Sequence, residues 1–268
     1  MTLHVAIIGG GNMGQALSRG ILRDISLDAQ VTVADPRAEV LLNEFPIDVR
    51  VLTDNRKAIE PSEVVILALK PQVMESVVKP LHPHIGDKIV VTVAAGIPIA
   101  KYQDWLGSHI ALIRCMPNTP SLVGMGVSGL FANANTTVAD REIVDRLLQS
   151  TGDLLWVKSE NELHTITALS GSGPAYFIYM MEAMIKQGIE LGFSPSTSRA
   201  IVVQTALGTA TLAAQSDDDL QQLRHRITSP GGTTERAIQV FDELAVHRGI
   251  QEGTKSAHQR SIELAESF

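Results

Sequence analysis

A single cysteine, Cys115, occurs in the 268 residues of the chain, which excludes an internal disulfide and any metal site made of cysteines alone. It lies just past the apolar run Ile110-Ala111-Leu112-Ile113 and is expected to pack there as a small hydrophobe, since nothing nearby would lower its thiol pKa. The eight histidines are scattered and form no H-E-x-x-H or comparable ligand pattern, so no metal is expected. Positive charge is also scarce. The 22 Lys and Arg face 29 Asp and Glu, a net charge of −7 with a pI near 5.6, which counts against a nucleic-acid partner. No run of about 18 consecutive apolar residues occurs, so no membrane span is expected. The first apolar run begins within five residues of Met1, leaving no room for the charged, apolar and cleavage segments of an export signal; the expected location is the cytoplasm.

What is present is an ordinary globular balance, 44% hydrophobic and 19% charged, in a length that suits one large or two modest domains. The chain is organised around Val5-Ala6-Ile7-Ile8-Gly9-Gly10-Gly11-Asn12-Met13-Gly14. Four apolar residues in a row suit a strand buried on both faces of a parallel sheet. Gly9, Gly11 and Gly14 then follow at the spacing G-x-G-x-x-G, and residues 16–22 continue with helical periodicity. In a dinucleotide site the first glycine makes the tight turn and the second lets a pyrophosphate approach the backbone. The third lets helix and strand pack closely, and the helix N-terminus receives the phosphates. A glycine-rich strand-turn-helix corner would show the same spacing. The context favours the dinucleotide, because a second strand, Val31-Thr32-Val33-Ala34, ends in Asp35. That residue lies 35 − 14 = 21 positions after Gly14, where an acidic residue meets the adenosine ribose.

Further apolar runs predict strands at 49–51, 64–69, 89–93 and 110–114, with short helices at 38–45 and 71–79. Two more strands, 127–132 and 154–157, flank a helix at 138–150 and are expected to complete the far edge of the sheet. The alternation predicts an α/β fold, a doubly wound Rossmann-type sheet in residues 1–158. In such sheets ligands bind beyond the carboxyl ends of the strands. Cofactor contacts are therefore expected from Gly9, Gly10, Gly11, Asn12, Met13 and Gly14, and from Asp35, Arg37 and Asn55. Ala68-Leu69-Lys70-Pro71 and Val93-Ala94-Ala95-Gly96 are expected to add to them, and Pro117-Asn118-Thr119 to line the same crevice.

From residue 159 strand signals disappear, and helices are predicted at 160–169, 174–191, 195–215, 217–225, 233–248 and 250–266. This all-α part, 159–268, is expected to be completed by a second copy of itself, giving a homodimer. Two stretches interrupt its helical pattern: Ser170-Gly171-Ser172-Gly173-Pro174-Ala175-Tyr176 and Thr228-Ser229-Pro230-Gly231-Gly232-Thr233-Thr234-Glu235. The second leads into a helix N-terminus whose free N–H groups could bind an anion such as a substrate carboxylate. A loop merely capped by threonine would read the same way.

With these motifs together, the sequence resembles the pyrroline-5-carboxylate reductase family along its whole length. The resemblance rests on residues 9–14, on Ala68-Leu69-Lys70-Pro71, on Ala94-Ala95-Gly96 and on Arg114-Cys115-Met116-Pro117-Asn118-Thr119-Pro120. In the helical half it rests on residues 169–176 and on Ser229-Pro230-Gly231-Gly232-Thr233-Thr234. It implies hydride transfer from NADPH or NADH to the C=N bond of 1-pyrroline-5-carboxylate, giving L-proline, with no conventional acid–base dyad. Thr234 matches the family threonine whose hydroxyl meets the substrate nitrogen, and is the implied catalytic residue. Ser229, Gly231, Gly232 and Thr233 match the loop that holds the substrate carboxylate, and Glu160 matches an acidic residue near the substrate. The resemblance also implies a homodimer whose active site joins the cofactor sheet of one chain to the substrate loop of the other, in some members within a ring of dimers.

Two departures stand out. Arg224-His225-Arg226 replaces the family's usual Lys-Asp pair followed by Asn or Gln. Asp35 stands where members that prefer NADPH have an uncharged residue; a carboxylate there suits the ribose of NADH, whereas Arg37 could neutralise it and bind a 2′-phosphate, so both cofactors are expected to work. Two other readings fit the sequence less well. A β-hydroxyacid-type dehydrogenase would need a lysine four positions after Gly173, where Phe177 stands. A non-enzymatic dinucleotide sensor would have no use for the substrate loop.

Overall fold

The computed structural model describes residues 2–24, 26–46 and 48–268. Its first half alternates strands and helices: β1 Leu3–Ile8, α1 Asn12–Arg23, β2 Ala29–Ala34, α2 Ala38–Leu41, β3 Arg50–Leu52, α3 Asn55–Ile59 and β4 Val64–Leu67. There follow α4 Pro71–Val78, α5 His82–Ile85, β5 Ile89–Thr92, α6 Ile99–Leu106, β6 Ala111–Met116, β7 Gly126–Ala132, α7 Val138–Leu148 and β8 Gly152–Trp156. The strands form one sheet in the order β3-β2-β1-β4-β5-β6-β7-β8. Successive residues serve opposite faces, as strand geometry requires. Val5 and Ile7 join a core cluster with Leu17 and Ile21 of α1 and Val144 of α7. Ala6 and Ile8 join the other cluster, with Met74, Val78, Tyr102 and Leu106. Both faces are thus covered, which explains the unbroken apolar runs of the central strands. Cys115 lies in the first cluster, and burial pushes its thiol up to about 12, so it is a packing residue as its sequence position suggests.

The sheet departs from a purely parallel one at a single step, β6 to β7, which pair antiparallel. Residues 117–125 between them hold only a 3₁₀ turn, Thr119–Val123, and are too few for the crossover that a parallel partner needs. The next connection contains all of α7, so β8 is parallel to β7 again.

The chain divides into two compact units by its own contacts. The first runs to Ser172 and takes in Ala257–Phe268; the second is Gly173–Ser256. The first unit thus extends beyond 158, because side chains after that point are bonded into it. Within it α8, Glu162–Ile166, buries Leu163, and a π-helical turn, Thr167–Gly171, buries Ala168. In residues 257–268, Ser261 pairs its hydroxyl with His164 Nδ1 at 2.9 Å.

The second unit holds α9 Gly173–Glu190, α10 Pro195–Gln215, α11 Leu220–Arg226, α12 Thr233–Glu243 and the first part of α13 Val246–Glu266. The stretch 170–176, expected to be irregular, instead splits between the π turn and the first turn of α9. The single helix expected over 233–248 is broken: α12 ends at Glu243, Ala245 takes φ 53°, and α13 starts at Val246. α9 and α10 pack together, yet Phe177, Tyr179, Met184, Phe193 and Leu207 remain exposed. No residue of α12 is buried. So much uncovered apolar surface is typical of an interaction face.

Candidate active site

The order β3-β2-β1-β4-β5 places a topological switch between β1 and β4, and the glycine loop leaves β1 at that point. Gly9 has φ 110°, and a Cβ there would lie 2.4 Å from the carbonyl oxygen of Ala68. A Cβ at Gly14 would lie 2.1 Å from the carbonyl oxygen of Gly9, so the helix can approach the loop only if that residue is glycine. Gly11 differs, because a Cβ there would meet nothing within 4 Å. It is the N-cap of α1, without a side-chain cap and with no acidic residue in the first turn. The orphan N–H groups of that turn therefore remain available to an anion. Open space beside Gly11, backed by uncapped donors, fits the pyrophosphate of a dinucleotide.

The other expected cofactor residues follow the carboxyl ends of neighbouring strands, at the same edge of the sheet. Asp35 and Arg37 follow β2, and Asn55 opens α3 after β3. Ala68, Leu69, Lys70 and Pro71 follow β4, Pro71 being the first residue of α4, a position that suits proline. Val93, Ala94, Ala95 and Gly96 follow β5, and Leu264 of α13 packs against Gly96, its Cβ 3.3 Å from where a glycine Cβ would stand. Asp35 is buried and already engaged. Its Oδ2 accepts from the Gly10 N–H at 2.9 Å and from Arg37 Nη2 at 3.3 Å; its Oδ1 accepts from the Arg37 N–H at 2.9 Å and from Arg37 Nε at 3.1 Å. Burial pushes its carboxyl up, but the bonds from Arg37 and Gly10 outweigh that and hold it below the usual carboxylate range.

Glu160 has partners that its sequence position did not suggest. Its Oε1 accepts from Arg114 Nη1 at 2.6 Å and from the N–H of Ile99, the first residue of α6, at 2.7 Å. Arg114 is the buried cation of β6. The signal was a lone arginine inside an apolar strand, since a buried charge demands a counterion. Asn118 was another unmarked tie: it donates to Ser170 Oγ at 3.0 Å and accepts from the Val127 N–H at 2.9 Å, fixing the π turn to the segment after β6. An open cavity of about 890 Å³ lies elsewhere, beside Glu63, Lys88 and Ile89 at the amino ends of β4 and β5.

In the second unit the loop before α12 is held by the Gly232 N–H donating to the Ser229 carbonyl at 3.0 Å. Gly232 is the N-cap of α12 and provides no side-chain cap. The hydroxyls of Thr233 and Thr234 make no hydrogen bond among the described residues, so the threonines do not cap the helix in its own chain. Glu235 folds back to accept the Gly231 N–H at 2.7 Å. In the basic segment before the loop, Arg226 is paired with Asp218 at 2.6 Å.

A protein-family model described as pyrroline-5-carboxylate reductase dimerisation matches residues 160–264, and one described as NADP oxidoreductase, coenzyme F420-dependent, matches residues 4–96. The pyrroline-5-carboxylate reductase of Pseudomonas aeruginosa is 42% identical over 271 residues, covering 100% of this chain and 98% of that one. The chain belongs to the pyrroline-5-carboxylate reductase family. The family's fold recurs in the solved pyrroline-5-carboxylate reductase of Coxiella burnetii, at 32% identity and TM-score 0.89 over 99% of both chains. It recurs also in the Plasmodium falciparum pyrroline carboxylate reductase solved with NADP bound, at 26% identity and TM-score 0.89 over 98% of both chains. The dimerisation model begins two residues after 158, whereas the compact first unit continues to Ser172.

Proposed function

We propose that the chain reduces 1-pyrroline-5-carboxylate to L-proline with NAD(P)H, the closing step of proline biosynthesis. The observation that carries this reading is the presence, in one chain of this family, of two glycine-rich loops that each lead into a helix N-terminus without a side-chain cap. One is the glycine loop before α1; the other is the loop before α12, where two threonine hydroxyls have no partner among the described residues. The first suits the dinucleotide, and the second a small molecule bearing a carboxylate.

When bound, the nicotinamide supplies the hydride. The chain's own task is placement, because a protonated cyclic imine already accepts hydride at its C=N carbon. The N–H groups at the start of α12, with Ser229, Gly231, Gly232 and Thr233, hold the substrate carboxylate. The Thr234 hydroxyl meets the ring nitrogen, which keeps its proton as the C=N bond becomes C–N. Glu160, bonded to Arg114 and Ile99, is assigned to the framework.

The uncovered apolar side chains of the second unit, with the match to a dimerisation model, support a homodimer. In it the loop of one chain serves the cofactor sheet of its partner, and dimers can assemble further into a ring. No helix among the described residues is long and apolar enough to cross a membrane, and the expected site of action is the cytoplasm. Mixing the protein with pyrroline-5-carboxylate and NADPH and following the nicotinamide absorbance tests the reaction; no loss of the reduced cofactor would overturn it. Equilibrium sedimentation tests the assembly, where a monomer at micromolar concentration would count against the dimer.

A further inference from the structure

Asp35 holds the position from which an acidic residue binds the adenosine ribose of NADH, yet its hydrogen-bonding capacity is spent. An ionised carboxylate has about four acceptor sites, two on each oxygen. Here Oδ2 takes the Gly10 N–H and Arg37 Nη2, and Oδ1 takes the Arg37 N–H and Arg37 Nε. Two of these donors are backbone groups, so the carboxylate is a strut between the glycine loop and the turn after β2. The fit around Gly10 is tight: a Cβ there would lie 2.7 Å from Leu41 Cδ1 and 3.3 Å from Asp35 Cβ.

The other two bonds come from the Arg37 side chain, which stays 62% exposed while Asp35 beneath it is 9% exposed. Only one edge of the guanidinium faces Asp35, and Nη1 has no partner among the described residues. The pair therefore presents a cation with unused donors to solvent, and keeps its carboxylate neutralised behind. A ribose diol could reach Asp35 only by displacing Arg37 from two hydrogen bonds. A 2′-phosphate could take the outer donors of Arg37 with both bonds left intact, in the planar geometry that suits guanidinium and phosphate.

We propose that Arg37 is the specificity-determining residue at the adenosine end of the cleft and selects NADPH over NADH, with Asp35 stationing the guanidinium. The proposal rests on the dinucleotide part of the function proposed above and goes beyond it in naming which dinucleotide is favoured and by which residue. It narrows the sequence expectation that both cofactors work, by giving Arg37 rather than Asp35 the deciding role.

Calorimetric titration of the full chain with NADP⁺ and with NAD⁺ tests it without catalysis. The wild type is expected to bind NADP⁺ at least about tenfold more tightly, with the difference narrowing as salt screens the phosphate contact. Arg37→Ala is expected to remove the difference by weakening NADP⁺ about tenfold or more, while NAD⁺ binds as before or better because Asp35 is uncovered. Arg37→Lys, which keeps the charge without the fork, is expected to retain part of the preference. A wild-type difference under about twofold, an unchanged difference in Arg37→Ala, or a parallel loss of both ligands would each overturn the proposal. If the binding pattern holds but pyrroline-5-carboxylate is not reduced, the reaction assignment fails and the role of Arg37 stands.

Discussion

Arg114 on β6 and Glu160 just before α8, 46 positions apart in sequence, meet at 2.6 Å, and the same Glu160 oxygen holds the first N–H of α6. One carboxylate thus neutralises the buried cation of the sheet and caps a neighbouring helix. Glu160→Ala would leave Arg114, with a side chain only 7% exposed, without its counterion. Breaking such a pair costs about 3 kcal/mol or more. The expected result is a clear loss of stability in urea, with the KM for pyrroline-5-carboxylate within about threefold of wild type well below the transition. A large rise in KM with unchanged stability would return Glu160 to the substrate site.

Gly11 and Gly14 separate folding from binding. A methyl at Gly14 overlaps a backbone oxygen that cannot move without moving β1, so Gly14→Ala should cost more than about 3 kcal/mol and fold poorly. A methyl at Gly11 meets only open space, so Gly11→Ala should melt like the wild type yet bind the dinucleotide about tenfold more weakly. Melting curves and NADPH fluorescence titrations distinguish the two. Equal cofactor affinity in Gly11→Ala would show that the phosphates do not pass there.

Thr234→Ala removes a hydroxyl with no partner among the described residues, so folding should be unaffected. The expected effect is a fall in kcat of about tenfold or more, with NADPH affinity within about twofold, because the group acts on the substrate side. Steady-state kinetics beside direct cofactor titration checks this, and unchanged turnover would remove Thr234 from the mechanism.

His164 supplies a pH dependence. Burial, then the charges of Arg114 and His258, hold it below the ordinary histidine value, and Glu160 only partly offsets them. Since the folded value is depressed, the unfolded chain takes up this proton first as pH falls past about 6.5. Stability from this residue is therefore full above that pH and declines as acid approaches the folded value. Both tryptophans, Trp105 and Trp156, lie in the first unit and report its unfolding. Tryptophan-monitored urea midpoints should fall between pH 7 and 5.5 in the wild type, and fall less in His164→Gln. Identical slopes would exclude His164 as the source.

The parts of this protein that are local in sequence could be read from it. The turn at Gly9, the helix packed over Gly14 and the acidic residue after β2 follow from spacing, and α10 begins and ends at the residues its periodicity predicts. What escaped depends on residues far apart. The antiparallel turn into β7 follows from the shortness of 117–125 and leaves no trace in the strand's own pattern. Glu160 reads as a solvated helix start until Arg114 is beside it. The bonds that occupy Asp35 come partly from Gly10, 25 positions earlier, so sequence position alone made it a ribose ligand. Ala245 carries no mark of the helix break it makes.

The return of Ala257–Phe268 to the first unit has a consequence for biosynthesis. A chain emerging from the ribosome at roughly 5–20 residues per second usually lets an N-terminal domain finish folding before the next is made. Here the sheet can assemble early, but the partner of His164 and the residue covering Gly96 are translated only after the entire second unit. The cofactor-binding half is the first to start and cannot be the first to finish. Until Ser261 and Leu264 arrive, the nascent sheet keeps one flank of its ligand edge bare, a window in which early-bound dinucleotide or a chaperone would have the most to protect.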